Sequence, residues 1–380
     1  MIAQQARQAG ERWSEYFLVV DDDAHTFWAD RLNKSDKPAL FILGKGFDPR
    51  MPSALALLID AGFRGTGSSV RAIAYDEGAD SPSQRQAQQA NENWTRVTEL
   101  CSGADLDLSV TSIAMRSTDG RLLGPASALE VFEASAQLTP FSDVIVDISA
   151  LPRALYFPLI AKLLTICDEA KAPLNLHVMV TEHPILDKAI ADEGVEETAY
   201  YLPGFLGEAD MQSTADHPLV WIPLLGPGQY VQLQRIRELV NAREISPLLP
   251  SPAINPRTAD ELLLEYRRFL FDELRIDHRS FVYTSEFNPF EVYRQLCSMI
   301  LHYRMALAPL GGSKAVVSVH STKLMSLGAL LATYDLKQSG VHVGVADVAS
   351  HGYTLADADE RERPPGRVFS MWLAGEAYAD

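Results

Sequence analysis

The chain reads as an α/β protein built from two tandem Rossmann-like parallel-sheet units behind a short N-terminal helical segment, and three observations lead there. Short strands that are apolar on both faces alternate with amphipathic helices, the pattern of a parallel sheet covered by helices. Strand exits carry Gly, Asp, Ser and Lys turns that open the next helix. Three segments also recur in the same order. Leu43–Gly46 (LGKG) matches Leu225–Gly228 (LGPG), Val144–Ser149 (VIVDIS) matches Val316–Ser321 (VVSVHS), and Leu176–Val180 (LHVMV) matches Val341–Val345 (VHVGV). We read these as an internal duplication with insertions between the matched elements.

The N-terminal segment (1–36) is expected to form one or two polar helices, Glu11–Phe17 and His25–Leu32, with aromatic anchors at Trp13, Tyr16, Phe17, Phe27 and Trp28. The first Rossmann-like domain (37–210) has expected strands at Ala39–Leu43, Val70–Tyr75, Leu106–Met115, Asp143–Ile148 and Leu174–Thr181. Its expected helices are Pro52–Ala61, Trp94–Cys101, Gly124–Leu138 and Arg153–Glu169. The polar stretch Glu77–Asn93 reads either as an insert or as a solvated helix start. The second domain (211–380) has expected strands at Leu219–Leu225, Phe281–Thr284, Ala315–His320 and Val341–Val348, and expected helices at Tyr230–Val240, Thr258–Leu274, Pro289–Leu307 and Leu324–Lys337. Pro247, Pro250, Pro252 and Pro256 read as a rigid loop. Ala356–Pro365 is a charged, Pro-rich tail, and Val368–Leu373 is expected to add an edge strand.

Composition narrows the class. The 380 residues suit two domains, and 47% hydrophobic against 22% charged suits a packed globular chain. Thirty-three basic and 50 acidic residues give a net charge of −17. That balance excludes a general nucleic-acid or anionic-membrane binder and leaves only a local basic cleft open. Cys101, Cys167 and Cys297 form no CxxC pair, which excludes a disulfide scaffold or thiolate zinc site and suits a reducing cytoplasm. No apolar run reaches the ~18–20 residues of a membrane helix. The nine histidines show no HxH or HxxxH spacing, so no metal site is expected.

In a parallel sheet, ligands sit beyond the carboxyl ends of the strands, where helix N-terminal amides point. Gly44-Lys45-Gly46-Phe47-Asp48-Pro49-Arg50 is one such exit. Its glycines permit close approach, Lys45 and Arg50 suit an anion, and Asp48 suits a hydroxyl or caps the next helix. Asp76, ending the next strand, stands where dinucleotide and methyl-donor enzymes hold a ribose, or else in a solvated loop. Asp147-Ile148-Ser149-Ala150-Leu151-Pro152-Arg153 is a second exit, with Ser149 placed as a helix N-cap and Arg153 opening the helix. No GxSxG surrounds Ser149. In the second half, Gly226 and Gly228 repeat the first turn. His320-Ser321-Thr322-Lys323 sets a lysine in the first turn of a helix, where the macrodipole disfavours it unless an anion answers. Ser285 and Glu286 form a further polar exit that suits a base, a ribose or a turn.

Two resemblances attach to these residues. VVSVHSTKLMSLGALLATYDLKQSGVHVGV (316–345) resembles the last strand–loop–helix–strand of CRISPR-associated Rossmann fold (CARF) domains, and VIVDISALPRALYFPLIAKLL (144–164) resembles the same unit more loosely. That likeness implies a dimeric sensor of cyclic or linear oligonucleotide second messengers in prokaryotic antiviral defence, with Ser321, Thr322 and Lys323 as ligand contacts. The chain departs from the family at His320 and Ser321, where paired glycines are common. It also lacks a nuclease RxxxxH at Arg50, Arg153, Arg257 or Arg304, which puts the effector on another polypeptide or removes it. FILGKGFDPRM (41–51) is similar to the cofactor loop of leucine-carboxyl-type methyltransferases. This likeness implies S-adenosylmethionine held by Gly44, Gly46 and Asp48, with Asp76 on the ribose; Lys45 departs from that pattern.

The leading expectation is therefore a cytoplasmic module binding a nucleotide-type anion, acting with a protein partner or as a homodimer. The alternatives are an S-adenosylmethionine-dependent or nucleotide-processing enzyme with Asp48 and Asp147 as acid/base candidates, and an adaptor with a vestigial cleft.

Overall fold

Ala-Leu-Phe-Ile-Leu-Gly-Lys at 39–45 is apolar on both faces, and in the computed structural model it is a buried strand with a parallel neighbour on each side. The structure describes residues 9–34, 37–65, 67–132, 135–170, 172–205, 217–356 and 366–378. The first eight residues, most of the charged tail and the expected 210/211 boundary lie outside them. The chain folds as two units, Tyr16–Gly194 with Ser350–Asp380, and Met1–Glu15 with Val195–Ala349.

The first unit runs β1 (Phe17–Val20), α1 (Asp22–Lys34), β2 (Ala39–Lys45), α2 (Ser53–Asp60), β3 (Ser69–Asp76), α3 (Ala87–Gly103), β4 (Asp107–Ala114), α4 (Gly124–Glu130), β5 (Asp143–Asp147), α5 (Arg153–Glu169), β6 (Asn175–Glu182), α6 (Pro184–Ala189) and β7 (Ile190–Asp192). The second runs β8 (Tyr200–Tyr201), β9 (Leu219–Leu224), α7 (Tyr230–Val240), β10 (Glu244–Ile245), β11 (Leu248–Pro250), α8 (Thr258–Glu265), β12 (Val282–Thr284), α9 (Pro289–Ala306), β13 (Lys314–Val319), α10 (Lys323–Gln338) and β14 (Val343–Asp347). The chain then returns to the first unit with β15 (Tyr353–Leu355), which pairs with β7, and β16 (Arg367–Ala374).

The first sheet has the order β1-β16-β6-β5-β2-β3-β4, with β2 to β6 mutually parallel. Counted along the chain, those five strands stand 3-2-1-4-5, the doubly wound order whose reversal point falls between β2 and β5. The second sheet has the order β12-β11-β9-β13-β14-β8. The two-residue β10 also pairs in parallel with β9, off this path; leaving it aside, the parallel strands β9, β11, β12, β13 and β14 again stand 3-2-1-4-5, reversing between β9 and β13. The three matched segment pairs thus occupy the first, fourth and fifth positions of each sheet. Beside the fifth position of each lies an antiparallel strand, β16 next to β6 and β8 next to β14.

Several elements differ from the sequence reading. Residues 11–15 form turns in place of a helix, and Phe17-Leu-Val-Val pairs antiparallel with β16 because its β-branched and aromatic residues suit a strand. The C-terminal strand is not at an edge; it lies between β1 and β6. The stretch 77–93 is helical from Pro82 onward, and the helix expected through Leu138 stops at Glu130. The helix expected to Leu274 ends at Glu265 and continues as a π-turn over Arg268–Glu273. Leu248–Pro250, read as loop, is a buried strand, since Pro250 stands at its end where a lost N–H is tolerated.

Each sheet is sealed by helices. Phe41, Leu43, Leu55, Leu58 and Val97 pack with Trp28 in the first unit. Trp221, Leu233, Ile236, Phe269 and Val316 pack in the second. Of the aromatic anchors, Trp28 and Trp13 are core residues, Phe17 and Phe27 are half-buried and Tyr16 is exposed; Trp28 donates to the Ser370 hydroxyl at 3.0 Å, and Trp13 meets Tyr293 edge-on at 5.2 Å.

Candidate functional site

At the β2 exit the glycines are required by close approach. A Cβ on Gly44 would stand 2.9 Å from the Ala150 carbonyl oxygen and from Leu151, and one on Gly46 would run into the Tyr75 hydroxyl. The β2 and β5 exits therefore touch at the reversal point of the sheet. Tyr75, from the end of β3, reaches over and donates to the Ala150 carbonyl at 3.1 Å. Its hydroxyl pKa is raised by burial and then by the Glu77 and Asp48 charges, so it stays protonated. Asn93 of α3 fixes the loop from the other side, donating to the carbonyls of Gly46 (3.1 Å) and Asp48 (2.9 Å).

The cations of this exit are already answered. Arg50 is buried, its guanidinium donating to Asp48 at 2.7 and 2.9 Å and to Asp187 at 2.5 Å. Burial opposes its charge, but the carboxylates of Asp48 and Asp187 outweigh that effect and raise its pKa. Lys45 lies 4.2 Å over the Trp94 ring, a cation–π contact.

The β5 exit closes on itself. Ser149 is fully buried. Its hydroxyl donates to Asp147 and accepts from the Thr181 amide at 2.8 Å, while its own amide donates to Asp147 at 2.9 Å. Ser149 is thus not the helix cap; Pro152 holds that position, and the Asp147–Ser149 pair forms a turn instead. Arg153 opens α5, as its position in the sequence suggested. Asp76 ends β3 on the same rim, exposed, accepting from the Gly78 amide at 2.9 Å. By formal charge the residues at the ends of these strands are mostly acidic, with Asp48, Asp76, Asp147, Glu182 and Asp187 against Lys45, Arg50 and Arg153.

In the second unit the same positions are filled differently. Gly226 has no room for a side chain, because a Cβ there would collide with the His320 carbonyl. At the start of α7, the Gly228 amide donates to Glu265 at 2.7 Å and the Gln229 amide to the Tyr266 hydroxyl at 2.9 Å, which itself donates to the Gly226 carbonyl at 2.6 Å. Side chains of this chain thus occupy amides that would otherwise meet an anion. Thr322 caps α10, accepting from Met325, and Lys323 is its first residue. His320 is buried, and the Ser321 hydroxyl lies against the Met325 sulfur. Ser285 and Glu286 stand at the β12 exit, two strands from β9 and three from β13. There Ser285 accepts from the Phe287 amide, and Glu286 accepts from the Ile254 amide at 2.9 Å.

Gly44, Lys45, Gly46, Asp48, Arg50, Asp147, Ser149 and Arg153 thus gather in one unit, and Gly226, Gly228 and His320 to Lys323 in the other. The sequence did not single out Tyr75, Asn93, Thr181 or Asp187, which hold the first exit. Among the described residues no group of three His, Cys, Asp or Glu side chains is placed to hold a metal, and no helix is long and apolar enough to cross a membrane.

No family model matches the chain, and no curated protein matches it. Among solved structures it is similar to the glycopeptide N-methyltransferase MtfA complexed with sinefungin (13% identity, 48% of this chain and 60% of that one, TM-score 0.20). The chain therefore spans 60% of that protein's length. It is also similar to the T. thermophilus 16S rRNA N2 G1207 methyltransferase RsmC in complex with AdoMet and guanosine (7% identity, 92% of this chain and 100% of that one, TM-score 0.20). Yeast gamma-glutamyl phosphate reductase has a TM-score of 0.16 at 12% identity, over 85% of this chain and 70% of that one. At these TM-scores the likeness carries no function to this chain.

Proposed function

We propose that the chain binds a nucleoside-type small molecule at the reversal point of the first sheet, and that a cationic adenosyl compound of the S-adenosylmethionine class suits the site better than a polyphosphate nucleotide. One observation carries the reading: the Arg50 guanidinium is buried between Asp48 and Asp187, so it is not free to clamp a phosphate, and its two carboxylates carry one more charge than it neutralises. A sulfonium cation is favoured there and a polyphosphate is repelled. Asp76, exposed at the end of the adjoining strand, is the acceptor for ribose hydroxyls. Asp48 and Asp147 are held by their own loops, so the proposal is of binding, with no assigned acid or base.

A second reading is favoured by Lys323 at the start of the 16-residue helix α10: a sensor of oligonucleotide second messengers in antiviral defence, with Ser321, Thr322 and Lys323 on the phosphates and an effector on a partner protein. Glu265, which accepts from the Gly228 amide just ahead of α7, weighs against it. We also propose that the two units arose by duplication, supported by their common strand order and by the matched segments at equivalent positions.

Isothermal titration of the full chain with S-adenosylmethionine, ATP and a cyclic oligoadenylate separates these readings. The expected result is one S-adenosylmethionine per chain, binding weakened about tenfold or more by Asp76→Ala through loss of a charged hydrogen bond, and no effect of Lys323→Ala. Binding of the oligoadenylate alone, abolished by Lys323→Ala, replaces the first reading with the second. Silence toward all three overturns both.

A further inference from the structure

We propose that two copies of this chain join edge to edge through β4, continuing the first sheet across a twofold axis. Among the described residues β4 ends that sheet and is paired on one side only, along its full eight residues from Asp107 opposite Ser69 to Ala114 opposite Asp76. The Met115 amide donates to the Asp76 carbonyl, which fixes the alternation: odd-numbered residues turn their backbone groups to β3. Leu108, Val110, Ser112 and Ala114 therefore direct their N–H and C=O groups outward, a row of ladder groups along an open edge.

Exposed edges of this length are ordinarily guarded by lysine, proline, a bulge or inward charge. Leu-Ser-Val-Thr-Ser-Ile-Ala at 108–114 has none of these, and its register with β3 is unbroken. Val110, at the middle of this edge, is 47% exposed.

Charge selects the occupant. The chain carries −17 overall, so two copies repel over most of their surface and approach most easily along an uncharged strand. A basic foreign strand would need carboxylates along the edge, and Asp107 is the one carboxylate in β4. The strand is complementary to itself when antiparallel. Outward-facing residues must oppose each other, which permits a twofold through Thr111 that sets Leu108 opposite Ala114 and Val110 opposite Ser112. Asp107 then falls opposite Met115, and no like charges meet.

Sedimentation velocity of the full chain tests this, with a concentration-dependent dimer of the 41.9 kDa chain expected. Val110→Pro removes an outward N–H and leaves the β3 ladder intact, and Thr111→Lys sets two like charges together at the axis. Each is expected to weaken the dimer about tenfold or more, because symmetry doubles each loss, with circular dichroism unchanged. Thr111→Cys is expected to cross-link two copies on mild oxidation, since a non-hydrogen-bonded pair brings the two backbones within disulfide reach; Ala114→Cys is expected not to. A monomer at every concentration, a dimer indifferent to both β4 substitutions, or cross-linking at position 114 and not 111 overturns the proposal.

Discussion

Gly44 shows what a single position decides. Its missing Cβ lets the β2 and β5 exits meet, and an added methyl would strike the Leu151 side chain and the Ala150 backbone carbonyl, which cannot rotate away. Gly44→Ala is therefore expected to lower stability by about 1–3 kcal/mol, the range for overpacking. Gly103→Ala, in α3 with nothing within 4 Å of the added carbon, is expected to be neutral or to stabilise by up to about 1 kcal/mol. Thermal unfolding of the two variants measures both, and equal melting temperatures would contradict the close approach. The two glycines and their charged neighbours were legible because turns of this kind use few residue types. Their partners were not. Asn93 sits in a polar run with no pattern to distinguish it, and Asp187 lies far along the chain from the Arg50 it answers. Ser149 looked like a helix cap because it follows a strand and stands three residues ahead of Pro152 at an opening helix; the aspartate two residues earlier and the Thr181 amide claimed it instead.

At the scale of elements, the apolar central strands and their helices were legible from two-faced hydrophobicity, whereas short or terminal strands were not. β1 was hidden because four residues give no periodicity and its partner β16 lies at the other end of the chain. What ties these ends down is a polar knot at the amino end of β5. Asp143 accepts from Arg31 of α1 at 2.7 Å, from the Ser142 hydroxyl at 2.7 Å and from His177 Nε2 at 2.9 Å, and Arg31 lies 4.3 Å over Trp372 of β16. Burial works against the Asp143 charge, but His177 and Arg31 outweigh it and hold the carboxyl below its usual range. Burial lowers the His177 pKa despite Asp143, so the imidazole stays neutral and donates through Nε2. Both shifts have the same sign. The unfolded chain takes up a proton on histidine as the pH falls below about 6.5, and on aspartate below about 4, before the fold does. Stability is therefore expected to be full above pH 6.5 and to fall in two stages as acid is added. Asp143→Ala is expected to remove about 3 kcal/mol or more at neutral pH, because Arg31 loses its buried partner, and to flatten the lower stage. Urea unfolding across this pH range measures it. A flat wild-type profile contradicts the assignment.

Across the whole molecule, the three recurring short segments read from the sequence lie at the first, fourth and fifth strands of two sheets that share one strand order. It did not disclose how differently the two reversal points are furnished. The first is lined by carboxylates around a neutralised arginine, and the second is closed by its own Glu265 and Tyr266. Such furnishing depends on side chains from other elements, which local sequence similarity does not report. The units differ in how the chain builds them as well, since the first takes its last large strand from the C-terminus after the second is complete. The proposal that the ligand lies at the first reversal point is tested most directly by hydrogen exchange on the full chain, with and without saturating S-adenosylmethionine. Slowed exchange is expected at residues 44–51, 76–78 and 148–153, with 226–230 and 320–326 unchanged. Slowing confined to the latter two segments, or no slowing anywhere, contradicts the account.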